Sequence, residues 1–141
     1  MSTLERAIAI AVDAHSKQKD KAGKPYILHP IRIMLQMKSD TEMIVAVLHD
    51  AIEDTSWTLG DLRREGFSQE ALNALEHLTH QEGQSYEEYI QRIKRNPVAR
   101  KIKLADLRDN MDISRLDNLV EKDLERLKKY HRSWLVLAER E

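Results

Sequence analysis

The sequence predicts an all-α fold, a single compact helical bundle. Nearly every segment spaces its apolar residues with the helical period. No stretch alternates with the period of two that a half-buried strand requires. Only four Gly and three Pro interrupt 141 residues, so breaks are few.

The elements follow in chain order. A first helix spans about Thr3 to Ser16, with Leu4, Ala7, Ile8, Ala11 and Val12 on one face. A polar loop, KQKDKAGK, comes next. Pro30 opens a second helix, PIRIMLQM, because its missing N–H costs little in a first turn. Asp40 caps a third, TEMIVAVLHDAIED. Thr58 caps a short helix that Gly66 ends. Ser68 starts another with Leu72, Leu75 and Leu78 inward. Ser85 and Glu88 form a capping-box pattern before a helix ending near Asn96. Pro97 opens PVARKIKLADLRDNMD. The last helix runs from about Glu121 to Ala138, with Leu124, Leu127, Trp134, Leu135 and Leu137 as its apolar positions.

Composition limits the functional classes. A net charge of -1 lacks the basic footprint of a protein that binds nucleic acid duplexes. There is no cysteine, which excludes disulfides and thiolate chemistry and points to a reducing compartment. The apolar runs are too short to span a bilayer, and MSTLERAIAI does not have the pattern of a secretory signal. A cytoplasmic protein without a membrane partner is the expectation.

The segment VLHDAIEDT poses the chemical question. Six apolar residues, Met43 to Leu48, run directly into His49, Asp50, Glu53 and Asp54. On a continuous helix Glu53 lies one turn beyond His49 and Asp50, on their face. Three anions near a helix C-terminus oppose its dipole and repel each other. An unpaired charge buried there costs several kcal/mol or more. A divalent cation would compensate; a hydrated polar helix end is the competing reading of this stretch alone. Two further places have the same character. His29 stands between Ile27-Leu28 and Pro30-Ile31, and Asp106 follows Ile102, Leu104 and Ala105, with Asn110 one turn later. His29, His49, Asp50 and Asp106 make a two-nitrogen, two-oxygen set suited to Mn²⁺, Fe²⁺ or Zn²⁺.

The order H…HD…D on a helical chain resembles the HD-domain metal-dependent phosphohydrolases. More closely, GKPYILHP, LHDAIEDT and KLADLRDNM resemble the hydrolase domain of the RelA/SpoT family, which removes pyrophosphate from the 3′ position of guanosine tetra- and pentaphosphate in the stringent response. The resemblance implies one HD-type phosphohydrolase domain over residues 1–141, of the stand-alone small type. It makes His29, His49, Asp50 and Asp106 the metal ligands, with Mn²⁺ the family's usual ion. It makes Glu53 and Asp54 the pair that orients or deprotonates the attacking water. Asn110 would contact the nucleotide sugar or the metal network. Tyr130 falls where the family has a nucleotide-contacting tyrosine, a packed aromatic being the alternative.

Lys17, Lys19, Lys21 and Lys24 form a basic segment able to draw in a polyanionic substrate, or else a solvated loop. The family's loop before HP carries a guanine-stacking arginine. This loop, HSKQKDKAGKPY, has none, and Leu107 follows LAD where Arg or Lys is usual. Another phosphorylated nucleotide, such as a nucleoside monophosphate, therefore stands as an alternative substrate. A non-catalytic nucleotide-binding module is the third reading. His77 and His80 form a solvated pair before they form a second metal site. Trp57 and Trp134 fill core or subunit-contact space, compatible with a homo-oligomer.

Overall fold

The computed structural model describes residues 2–139; the 1–141 span expected for the domain reaches beyond them at both ends. The helices are α1 (Leu4–Ala14), α2 (Leu28–Met34), α3 (Asp40–Leu48), α4 (Ala51–Asp54), α5 (Leu59–Arg64), α6 (Gln69–Leu78), α7 (Tyr86–Lys94), α8 (Pro97–Asn110) and α9 (Glu121–Ala138). A short 3-10 turn, Ile113–Arg115, precedes α9. Among the described residues there is no strand, only one isolated bridge between Lys19 and Pro25 that pinches the polar loop shut.

The caps explain most helix starts. Thr58, Ser68, Ser85 and Asn96 each accept a backbone N–H from the first turn of the helix that follows. For α3 the cap is Ser39 rather than Asp40: its hydroxyl and the Glu42 carboxylate make a reciprocal capping box, and Asp40 is the first helical residue. Pro30 does not open α2. The helix starts at Leu28, which places His29 within its first turn, and Pro30 still falls where no intrahelical N–H is used.

α3 is the central helix. It packs on α1, α2, α6 and α8, and its Val45, Ala46, Val47 and Leu48 are wholly buried. A helix surrounded on all sides needs apolar residues all round, and this accounts for the MIVAVL run. α8 lies beside it and also contacts α2, α6, α7 and α9. The inward stripe of α1 runs through Ala7, Ile10 and Ala11; Val12, expected inward, is exposed. In α9, Leu137 is buried while Leu124 and Leu135 face outward. These misassignments share one cause: each helix touches the bundle along a narrow strip, and periodicity alone does not say which of two adjacent apolar positions lies on it.

The largest departure from expectation lies in α3. TEMIVAVLHDAIED is not one helix. It breaks at His49–Asp50, and α4 resumes at Ala51. In an unbroken helix the Ala46 carbonyl would accept the Asp50 N–H. It accepts instead from the His49 backbone N–H at 3.4 Å and from His49 Nδ1 at 2.6 Å. The histidine ring thus folds back on its own helix and ends it.

Candidate active site

The break at His49–Asp50 faces α2 and α8. His29, His49, Asp50 and Asp106 each offer one ligand atom, and those atoms all lie within 4.8 Å of one another. His29 Nε2 is 2.8 Å from Asp106 Oδ1 and 3.7 Å from Asp50 Oδ2. His49 Nε2 is 3.3 Å from Asp106 Oδ1 and 3.1 Å from Asp50 Oδ2. His29, His49 and Asp106 are buried; Asp50 keeps its side chain 20% exposed.

The outer contacts orient the inner ones. The Ala46 carbonyl can only accept, so His49 carries its proton on Nδ1 and turns the Nε2 lone pair inward. His29 Nδ1 lies 2.6 Å from Asp109 Oδ2, on the opposite side of the ring from Asp106. Tyr26 donates its hydroxyl to Asp50 Oδ2 at 2.5 Å. Burial, then Asp50, push the tyrosine's pKa far above the usual phenol range, so it remains a donor. Lys103 donates to Asp106 Oδ2 at 2.9 Å, and Asn110 Nδ2 donates to Asp106 Oδ1 at 3.2 Å.

The electrostatics favour positive charge at the centre. Burial opposes charge on His49, yet Asp50 and Asp106 outweigh it and raise its pKa well above the ordinary imidazole value. Burial also works against the Asp106 carboxylate, but Lys103, His29 and His49 hold its pKa well below the usual range. Asp50 is held at about 2, His49 overcoming the burial that opposes it. Two inward imidazole nitrogens and two ionised carboxylates within a few ångströms match the donor set of a borderline divalent metal, with the outer partners that fix such ligands already in place. By donor chemistry, number and spacing, the residues fit a divalent cation.

Glu53 and Asp54 are placed differently. Because the helix breaks, they do not simply extend the His49–Asp50 face. Both are exposed, and Glu53 Oε1 accepts the backbone N–H of His80 from the α6–α7 loop. That loop is held by α7: Tyr89 donates to the Leu78 carbonyl at 2.6 Å, and Arg92 donates to the carbonyls of Glu76, His77 and Thr79. The pKa of Asp54 is raised, by burial first and then by Asp50 and Glu53. His80 rests edge-on against Tyr89 and His77 Nδ1 meets the Asn73 carbonyl at 2.8 Å, so neither histidine joins the cluster.

A cavity of about 250 Å³ opens beside His29. Asn110 and Tyr130 line it, as does Lys21, together with Lys19 and Tyr26. Lys17 and Lys24 are not in its wall; Lys17 takes the left-handed backbone conformation at φ 70° in the loop. The wall also holds three arginines that the linear sequence did not mark: Arg32, Arg115 and Arg126. Each is tied to an aspartate. Arg32 makes two bonds of 2.9 Å to Asp109, Arg115 reaches Asp112 at 3.2 Å, and Arg126 pairs with Asp123. Asp109, Tyr26 and Lys103 were also not marked. The available signal for Asp109 and Arg32 was spacing: each lies three residues after a ligand candidate, Asp106 and His29, on the same helix.

No family model matches the chain. It is 31% identical over 120 residues to a guanosine-3′,5′-bis(diphosphate) 3′-pyrophosphohydrolase of Aquifex aeolicus, a match covering 77% of this chain and 17% of that protein. It is 37% identical over 116 residues to the like-named protein of Haemophilus influenzae, covering 72% and 17%. The chain thus spans about a sixth of the length of these curated relatives. A solved structure of a metazoan ortholog of SpoT, described as hydrolysing ppGpp, superposes with a TM-score of 0.76 at 19% identity. That likeness covers 97% of this chain and 85% of the other, and it establishes the shared fold. No described helix is long and apolar enough to cross a membrane.

Proposed function

The chain is a relative of the RelA/SpoT 3′-pyrophosphohydrolases across about three quarters of its length, and from that premise we propose that it is a metal-dependent hydrolase of guanosine tetra- and pentaphosphate. The observation that carries this reading is the convergence of His29, His49, Asp50 and Asp106 beside a cavity with lysines in its wall. These four residues would hold the cation, Mn²⁺ by the family's habit. When bound, such an ion lowers the pKa of a nearby water and offsets charge developing on phosphorus.

The protein's own groups supply the rest. Glu53 has one oxygen on the His80 amide, which leaves Oε2 to accept the proton of the attacking water. Asp54, its pKa raised, is the neighbouring acceptor, and a base nearer the working pH exchanges protons more effectively. The water oxygen bonds to the phosphorus attached at the ribose 3′ position. The bond from that phosphorus to the 3′ oxygen breaks, and the oxygen leaves with a proton. One water is consumed, and the products are pyrophosphate and the nucleoside 5′-diphosphate or triphosphate. Asn110 and Tyr130, both in the cavity wall, would contact the nucleotide, and Lys21 with Lys19 would meet its phosphates.

One observation favours a second reading with a less charged substrate, such as a nucleoside monophosphate. Every arginine in the cavity wall is paired with an aspartate, so among the described residues only Lys19 and Lys21 present cations there without an ion pair. Incubating the Mn²⁺-loaded protein with a panel of phosphorylated nucleotides, and separating products by chromatography, tests both. Conversion of guanosine tetraphosphate to guanosine 5′-diphosphate plus pyrophosphate supports the first reading. Turnover of monophosphates alone replaces it with the second, and turnover of none leaves a nucleotide-binding module.

A further inference from the structure

Asp109 is a buried carboxylate with no part in the chemistry above. It sits one turn beyond Asp106 on α8, and His29 sits one turn before Arg32 on α2. The two helices therefore meet as a ladder. Asp106 Oδ1 is 2.8 Å from one nitrogen of the His29 ring, and Asp109 Oδ2 is 2.6 Å from the other. A neutral imidazole donates only one proton, so the two carboxylates compete for it. Asp109 faces Nδ1, away from the cluster, whereas Asp106 belongs to it. The same Asp109 carboxylate takes both bonds from Arg32 and lies 3.5 Å from Arg115 Nη2, which also donates to the Asp109 backbone carbonyl at 2.8 Å. Arg32 and Arg115 both line the cavity.

We propose that Asp109 is a positioning residue with two arms: it fixes His29 with the proton on Nδ1 and Nε2 turned inward, and it seats Arg32 and Arg115 in the cavity wall. Metal affinity and substrate affinity are then set in part by one side chain. This rests on the metal-centre reading above. A carboxylate behind a metal-binding histidine raises the ring's basicity and fixes its tautomer, and removing such a partner costs about 10–100-fold in metal affinity. A purely structural ion pair would do neither.

The test uses Mn²⁺ alone as the calorimetric probe, on the wild type, Asp109→Asn and Arg32→Ala. Asp109→Asn should weaken Mn²⁺ binding about 10–100-fold. Arg32→Ala cuts only the second arm, so it should leave Mn²⁺ affinity within about threefold while raising KM. Wild-type Mn²⁺ affinity in Asp109→Asn would overturn the proposal. Long-range proton–nitrogen spectra of the metal-free wild type need no variant to fold. The neutral His29 ring should carry its proton on Nδ1, and a proton on Nε2 would contradict the assignment. Should the wild type bind no Mn²⁺, the metal-centre reading fails, and the spectra still decide whether Asp109 orients His29.

Discussion

The two halves of HDAIED live in different surroundings. His49 and Asp50 sit at a helix break, packed against α2 and α8, with outer partners in Ala46 and Tyr26. Glu53 and Asp54, about one turn further on, are exposed, and Glu53 accepts a single backbone amide from His80. The first half is built to hold its atoms still; the second is built to be reached. Ligands of a cation need fixed lone pairs, whereas a group that takes a proton from water needs access and an adjustable pKa.

The comparison breaks most visibly at the fixed half. His49→Ala, Asp50→Ala or Asp106→Ala should remove metal content and hydrolysis together. The rate should fall by about 10³-fold, since the ion's charge stabilisation is worth several kcal/mol. Metal analysis alongside pyrophosphate release checks this, and full metal content in the Asp106 variant would show that the cluster is not the binding site. The accessible half should respond differently. Glu53→Gln should retain the metal and lose about 10²–10⁴-fold in kcat, the usual range for a general base. Loss of metal in that variant would erase the distinction between the halves.

A smaller effect sharpens the boundary of the cavity. Lys21→Ala should raise KM about fivefold at low salt, as expected of one partly solvated charge contact worth about 1 kcal/mol. Lys17→Ala and Lys24→Ala, outside the wall, should change KM by less than about twofold at the same salt. Equal effects from all three would favour diffuse attraction over a formed site. Smallest for function is Ser39→Ala at the start of α3. It should cost about 1 kcal/mol of stability in denaturant melts and leave Mn²⁺ affinity unchanged. Glu42, its capping partner, has its pKa lowered by Lys101 and by the Lys38 and Ser39 amides against a burial effect that raises it. A lowered folded-state pKa means stability present above the ordinary glutamate range and lost as pH falls. Glu42→Gln should therefore flatten the acid limb of the melting temperature.

Much of the fold was legible because it is written locally. Thr58, Ser68, Ser85 and Pro97 announce helix starts by side-chain chemistry that needs no tertiary context. The four clustered residues were also legible, since a carboxylate or imidazole among apolar neighbours demands a partner. The rest depends on contacts that no local pattern encodes. The break at His49 comes from its ring competing for the Ala46 carbonyl, which the helical period does not reveal. Arg32 meets Asp109 across 77 residues of sequence, and His29 meets Asp109 across 80. The cavity wall takes its arginines from α2, the 3-10 turn and α9 rather than from the loop before His29.

The central claim is that one cation, held by two imidazoles and two aspartates, is required for cleavage of the guanosine 3′-pyrophosphate. The most direct measurement follows pyrophosphate release from guanosine tetraphosphate by protein stripped with a chelator, before and after Mn²⁺ is returned. The account predicts no release from the stripped protein and recovery at one Mn²⁺ per chain. Undiminished release from the stripped protein would contradict it.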